Sequence, residues 1–175
     1  MTVSTAGTSL PSRITDIHVH IQPWRDLKPN VLEAMRKGKE DHWDFLLALM
    51  DDPQALLEIM DQAGVWRVGL VNYPSPDIMG FTDSTNAFSA RYAQADPTRL
   101  LPYGGVHPRF TTDPRGDVDH LVDLGIRLLK LHPNHQAFPA NAYTNGLDTL
   151  AEIYRRCEER RLPVMVHTGT SIFPG

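Results

Sequence analysis

The chain is poor in several features that would assign it to a class at once. It has one cysteine, Cys157, in 175 residues, so no intramolecular disulfide can form, and a reducing, cytoplasmic setting is expected. It has no basic tract. With 17 Lys and Arg against 21 Asp and Glu, nothing in the charge favours nucleic acid or an anionic membrane surface as a partner. Its purely apolar runs are only a handful of residues, far short of a bilayer span. Internal repeats and low-complexity stretches are lacking as well. The opening "MTVSTAGTSLPSR" has no apolar core behind a basic segment, so residues 1–13 are expected to be a disordered lead-in rather than a signal peptide. A hydrophobic fraction of 41% beside 22% charged residues describes a soluble globular chain long enough for one domain with a sizeable core. A small-molecule substrate is the expected partner, and homo-oligomerisation is left open.

What is present is a rhythm. Strand-like apolar runs recur at "ITDIHVHI" (14–21), "WRVGLVNYP" (66–74), "LLPYGGVHP" (100–108), "IRLLKLHP" (126–133) and "LPVMVHTG" (162–169). Amphipathic helix patterns lie between them. "DDPQALLEIMDQAGV" sets Asp52 as N-cap, Pro53 at the first helical position and Gly64 just past the end. "DSTNAFSARYAQADP" closes before Pro97, and "GDVDHLVDLG" stops at Gly125. "NGLDTLAEIYRRCEERRLP" spaces Leu147, Leu150, Ile153, Tyr154 and Cys157 along one face. Strand–helix alternation with near-continuous apolar strands predicts an α/β fold with a parallel sheet covered by helices.

The strand ends carry the chemistry. Histidines fall at or near the carboxyl ends of four of the five runs, as His20, His107, His132 and His167. In α/β barrels and open sheets that edge is where active sites are built. In the first run, alternation places Asp16, His18 and His20 on one face and Ile17, Val19 and Ile21 on the other. The apolar face suits a core, whereas the polar face needs a ligand, a partner or water. In the fourth run Leu128, Lys130 and His132 face inward, with Leu129 and Leu131 toward the helices. Between residues 22 and 51 the chain makes a long excursion containing Trp24, Arg25, His42 and a helical "DHWDFLLALM". It is read equally as a lid or insertion over the site and as a helix covering one end.

"DIHVHI" early, "GIRLLKLHP" in the middle and "LPVMVHTG" about 35 residues on together resemble the amidohydrolase superfamily, and within it the amidohydrolase-related branch that includes aminocarboxymuconate-semialdehyde-decarboxylase-like enzymes. The resemblance runs from residue 14 to the end. It implies a metal-dependent TIM (β/α)8 barrel, with His18, His20 and His167 as ligands of one divalent ion, most often zinc. A further aspartate on the eighth strand completes the family site. Only about the first five β/α units fit within residues 14–175, whereas a closed barrel takes about 250 residues. The chain is therefore expected to be the first part of such a barrel, incomplete in activity by itself.

The remaining residues take their roles from that frame. His132 is the expected catalytic residue, acting on substrate as a hydrogen-bond donor or proton shuttle. Trp24, His107 and Lys130 are substrate-binding candidates; for His107 a packed strand-end position is the equal alternative. Gly104 and Gly105 would let backbones approach closely. Some two-metal members bridge their ions with a carbamylated lysine on the fourth strand, which Lys130 invites, although a single ion ranks first here. Asp16 is either a carboxylate orienting a ligand histidine or a structural residue. His42, His120 and His135 are expected at helix or loop surfaces, His135 with a chance of bordering the mouth, and Cys157 in the core. The ion lowers the pKa of bound water, and the expected reaction is hydrolysis of an amide, lactone or ester. The alternatives are non-oxidative decarboxylation of an aromatic or enol acid, for which Trp24, Arg25 and Trp43 offer some support, and a fragment that only binds metal or oligomerises.

Overall fold

The computed structural model describes residues 13–173, so all but the last residue of the expected lead-in lies outside the described residues. Five strands, β1 (Ile14–Val19), β2 (Val65–Leu70), β3 (Leu100–Gly104), β4 (Leu128–Leu131) and β5 (Val164–Val166), form one sheet in sequential order. Every neighbouring pair is parallel. The helices are α1 (Pro29–Arg36), α2 (Trp43–Asp51), α3 (Pro53–Gln62), α4 (Ser84–Ala93), α5 (Pro114–Asp123), the single turn α6 (Pro133–Gln136) and α7 (Asp148–Arg160).

Local chemistry explains the main boundaries. α3 begins where the Asp52 carboxylate accepts the amides of Gln54 and Ala55 at 2.9 and 3.4 Å, with Pro53 at the first helical position. It ends before Gly64, whose φ of 68° is the left-handed conformation that glycine tolerates best. Asp113 caps α5 in the same manner, accepting the Gly116 amide at 2.9 Å. α7 buries Leu150, Ile153 and Cys157 on one face, and its arginines reach α5, where Arg156 forks onto Asp119 at 2.9 and 2.6 Å. Helix α1 stands outside the strand–helix rhythm; it buries Val31 and packs Leu32 and Met35 against the same core.

Two apolar layers lie between the sheet and the helices. One joins Val68, Leu70 and Leu100 to α2, α3 and Trp24; the other joins Leu129 and Leu131 to Val118, Leu121, Leu150 and Ile153. Inside the curve of the sheet, Val71, Tyr73 and Tyr103 pack with Leu101, Leu128 and Met165. The expected alternation of β4 therefore holds, with Leu128 inside and Leu129 and Leu131 outside. Tyr103 lies across β2 at Gly69, where an added Cβ would come within 2.4 Å of its ring.

β1 departs from its expected two-faced pattern. Ile17 is 57% exposed and Ile14 is 40% exposed, because β1 is an edge strand paired only with β2 and no described helix covers that end of the sheet. Only Val19 and Ile21 from the apolar face reach the core. The register also slips: Asp16 pairs with Val68 and Val19 with Leu70, so β1 holds one extra residue between them. That bulge takes in Ile17 and His18 and interrupts strict alternation at the first of the two histidines.

Candidate active site

The carboxyl ends of the strands enclose a cavity of about 410 Å³ lined by His18, His20, Trp24, Lys130, His132 and His167, together with His135 and Tyr73. A larger hollow of about 620 Å³ runs along α1 past Pro29 and Glu40 and holds no histidine. The chemistry belongs to the smaller one.

At its β1 wall the Nε2 atoms of His18 and His20 stand 3.2 Å apart, with ring centroids 5.1 Å apart. The bulge is held by Asp16, whose carboxylate accepts the His18 backbone amide at 2.9 Å. Asp16 thus shapes the backbone that presents His18. Crowding by protein, and then the neighbouring His18, push the His20 pKa down to about 4, while a hydrogen bond with the Gln22 side chain works weakly in the other direction. His18 is lowered by the same loss of hydration, then by Lys130. Both rings are neutral at pH 7, the form that ligates a metal.

At the opposite wall three imidazoles are stacked. His132 lies between His135, at 3.6 Å between centroids and 6° between planes, and His167, at 3.9 Å and 11°. The strand ends make this possible, because the His167 amide continues the β5 pairing by bonding to the Leu131 carbonyl at 3.0 Å. His132 opens α6, and its Nδ1 accepts the His135 amide at 3.3 Å. A neutral ring whose Nδ1 accepts carries its proton on Nε2. Burial, then the adjacent His135 and His167, lower the His132 pKa to about 2. Lys130, one layer below, is 1% exposed and lowered in pKa by burial; it makes no side-chain hydrogen bond or ion pair among the described residues.

Two observations bear on whether this donor set fits a metal. Two nitrogens held about 2.0–2.1 Å from a tetrahedral zinc lie about 3.3–3.4 Å apart, so the His18–His20 spacing suits a shared ion. His167 Nε2 is buried without a partner among the described residues, as a reserved ligand would be. Its ring, however, lies flat on His132. Among the described residues, no three His, Cys, Asp or Glu side chains are gathered closely enough to hold an ion. The expected three-histidine convergence is thus present as a set pair plus a third ring in the same cavity, not as a closed triad.

Other expectations are sorted by position. Trp24 and Lys130 line the cavity. His107 does not; it is buried against Phe110, with ring centroids 4.4 Å apart, three residues beyond the end of β3. This is the packed strand-end alternative. Arg25 is exposed and forks onto Asp51 at 2.7 Å, outside the cavity. From the long excursion, α1 contributes Ala34 and Met35 to the wall, while Trp43 of α2 is buried behind it, 6.2 Å from Trp24. Gly105 allows a close backbone approach, since an added Cβ would fall 2.6 Å from the Lys130 carbonyl. His42 and His120 are exposed as expected.

His135 is a correction. It is buried, not at the surface, and lines the cavity. The local signal is "HPNH": Pro133 starts a helical turn, and a three-residue step returns His135 to the side of His132. Tyr73, which bonds to the His135 Nδ1 at 2.7 Å, carries no signal beyond its place after a strand.

Among known proteins, a family model described as Amidohydrolase matches residues 15–175. An uncharacterised TIM-barrel protein from Bordetella bronchiseptica superposes with a TM-score of 0.66 at 20% identity, covering 93% of this chain and 58% of that one. 4-Oxalomesaconate hydratase from Rhodopseudomonas palustris gives a TM-score of 0.50 at 20% identity, covering 89% of this chain and 52% of the hydratase. The chain thus spans a little over half the length of these structures, and its five parallel strands correspond to half of a TIM barrel. No curated protein matches the chain.

Proposed function

Since the chain belongs to the amidohydrolase family, we propose that it carries the metal-holding and substrate-polarising part of a metal-dependent hydrolase acting on an amide, lactone or ester carbonyl. The observation that carries this reading is the 3.2 Å approach of two neutral Nε2 atoms, His18 and His20, on one cavity wall. His18 and His20 would hold a divalent ion, zinc first among candidates, and His167, whose Nε2 has no partner among the described residues, would join them. When bound, such an ion polarises a carbonyl and makes water a better nucleophile near neutral pH. His132 presents Nε2–H as a donor to the carbonyl oxygen, where negative charge grows during attack. Its lowered pKa keeps it a neutral donor across the physiological range. Trp24, Met35 and Phe173 line the same cavity with apolar surface and reduce access of bulk water to the reacting group.

One observation favours decarboxylation of a carboxylic acid as the second reading. Among the described residues the cavity lining includes Lys130 and Lys39 and no Asp or Glu, an environment suited to an anion. Calorimetric titration with zinc, followed by product analysis on a panel of lactones, esters, amides and aromatic or enol acids, tests both. Zinc binding near one equivalent with loss of ester, amide or lactone supports the first reading, and CO2 release supports the second. Failure to bind zinc, or any divalent ion, overturns both.

A further inference from the structure

His135 has every polar atom committed. Its backbone amide points to His132 and its carbonyl accepts the Ser75 hydroxyl. In the ring, Nδ1 meets the Tyr73 hydroxyl at 2.7 Å and Nε2 meets the Ser171 hydroxyl oxygen at 2.6 Å. The order of protons follows from these contacts. Tyr73 Oη has no other partner among the described residues, and a phenol holds its proton at neutral pH, so it donates to Nδ1. The neutral ring therefore carries its proton on Nε2 and donates it to Ser171, which also receives the Phe173 amide at 3.0 Å. A ring with both nitrogens occupied binds neither an ion nor a substrate. It serves as a wall.

The wall has two neighbours that matter. His132 lies parallel to it at 3.6 Å, in van der Waals contact over the whole ring. On the other side of the chain of bonds, Ser171 sits in the segment after β5, whose Phe173 meets the His135 ring edge at 5.8 Å and packs into the core beside β1 and Trp24. Ile172 and Phe173 of that segment line the cavity.

We propose that His135 is a positioning residue which, through Tyr73 and Ser171, fixes the plane of His132 and pins the segment 168–173 across the cavity. The role deepens the reading of His132 as the residue that polarises substrate and rests on it for catalytic consequence, while the physical arrangement is testable without substrate or ion.

Long-range ¹H–¹⁵N spectra and backbone ¹⁵N relaxation on the 175-residue chain decide it. In the native chain His135 should show a single Nε2–H tautomer, and Tyr73→Phe should convert it to a mixture. Ser171→Ala and His135→Phe should each lower the {¹H}–¹⁵N nuclear Overhauser values across 168–173 to those of a flexible loop, with β2 and β3 unchanged. His135→Gln, which retains a donor able to reach Ser171, should restore part of that order. Two tautomers of His135 in the native chain, or unchanged nuclear Overhauser values in Ser171→Ala, overturn the proposal. Should His135→Phe lower the values in β2 and β3, its fold is damaged, and Ser171→Ala, at a half-buried loop residue, decides the matter alone. Zinc binding lost with these results intact would sink the metal-dependent reading and leave the positioning role standing.

Discussion

The ring nitrogens of His18 and His20 approach to 3.2 Å although the two residues are only two apart on one strand. A regular strand would separate their side chains by a full pleat repeat of about 6.6–6.8 Å between Cα atoms. The bulge that contains His18 and the amide of His18 bound to Asp16 tilt the rings together.

That pair should govern metal binding. His18→Ala and His20→Ala are each expected to weaken zinc binding by more than about 100-fold, because two-point chelation is lost. His132→Gln should leave zinc stoichiometry near that of the native chain. Side-by-side metal analysis after dialysis checks this; loss of zinc from His132→Gln would make that residue a ligand and undo its donor role.

Lys130 holds an ammonium in the interior with no anion beside it among the described residues. Replacing it with methionine, which keeps the length and removes the charge, is expected to stabilise the chain by about 1–3 kcal/mol. Urea unfolding should show a raised midpoint with an unchanged slope. Destabilisation would mean that the ammonium has a partner in the folded state.

Gly105→Ala should be destabilising. The new methyl would sit 2.6 Å from the Lys130 carbonyl, a backbone atom of β4 that cannot swing aside. Overpacking of this kind costs about 1–3 kcal/mol, and at about 2–4 °C per kcal/mol the melting temperature should fall accordingly. A native melting temperature in the variant would show that β3 and β4 can separate at this point.

Acid should loosen the α5–α7 contact before the rest. The forked hydrogen bond from Arg156 holds Asp119 below the ordinary carboxylate range, and Arg115 does the same for Glu159. A depressed folded pKa contributes stability above the unfolded value of about 4 and loses it as pH falls through the lowered one. Asp119→Asn should therefore melt lower than the native chain at pH 7, and the gap should begin to narrow below about pH 4 and close once the pH has fallen through the lowered pKa of Asp119. A gap that persists in acid would assign the effect to packing rather than charge.

The sequence by itself determined the strand order and the main helices between the strands, though not α1 or the single turn α6. Apolar runs of four to six residues, capped helices such as that begun by Asp52 and Pro53, and histidines at strand ends are encoded within a few residues of each other, where local propensity and periodicity act. It also determined the family, because "DIHVHI", "GIRLLKLHP" and "LPVMVHTG" are local strings. Tertiary structure decided what no local string encodes. The stack of His135 on His132 and of His132 on His167 joins a helical turn to two neighbouring strand ends, and the Tyr73–His135–Ser171 chain joins residues up to 98 apart in sequence. Ile17 reads as core from alternation yet is exposed, because burial depends on whether another element covers that side of the edge strand. His107 reads equally as a site residue and as a packed strand-end residue; it packs on Phe110, because the turn after β3 carries it away from the cavity. Side-chain direction beyond the end of a strand is set by the loop that follows and by what it packs against, and those contacts form only when the sheet is assembled.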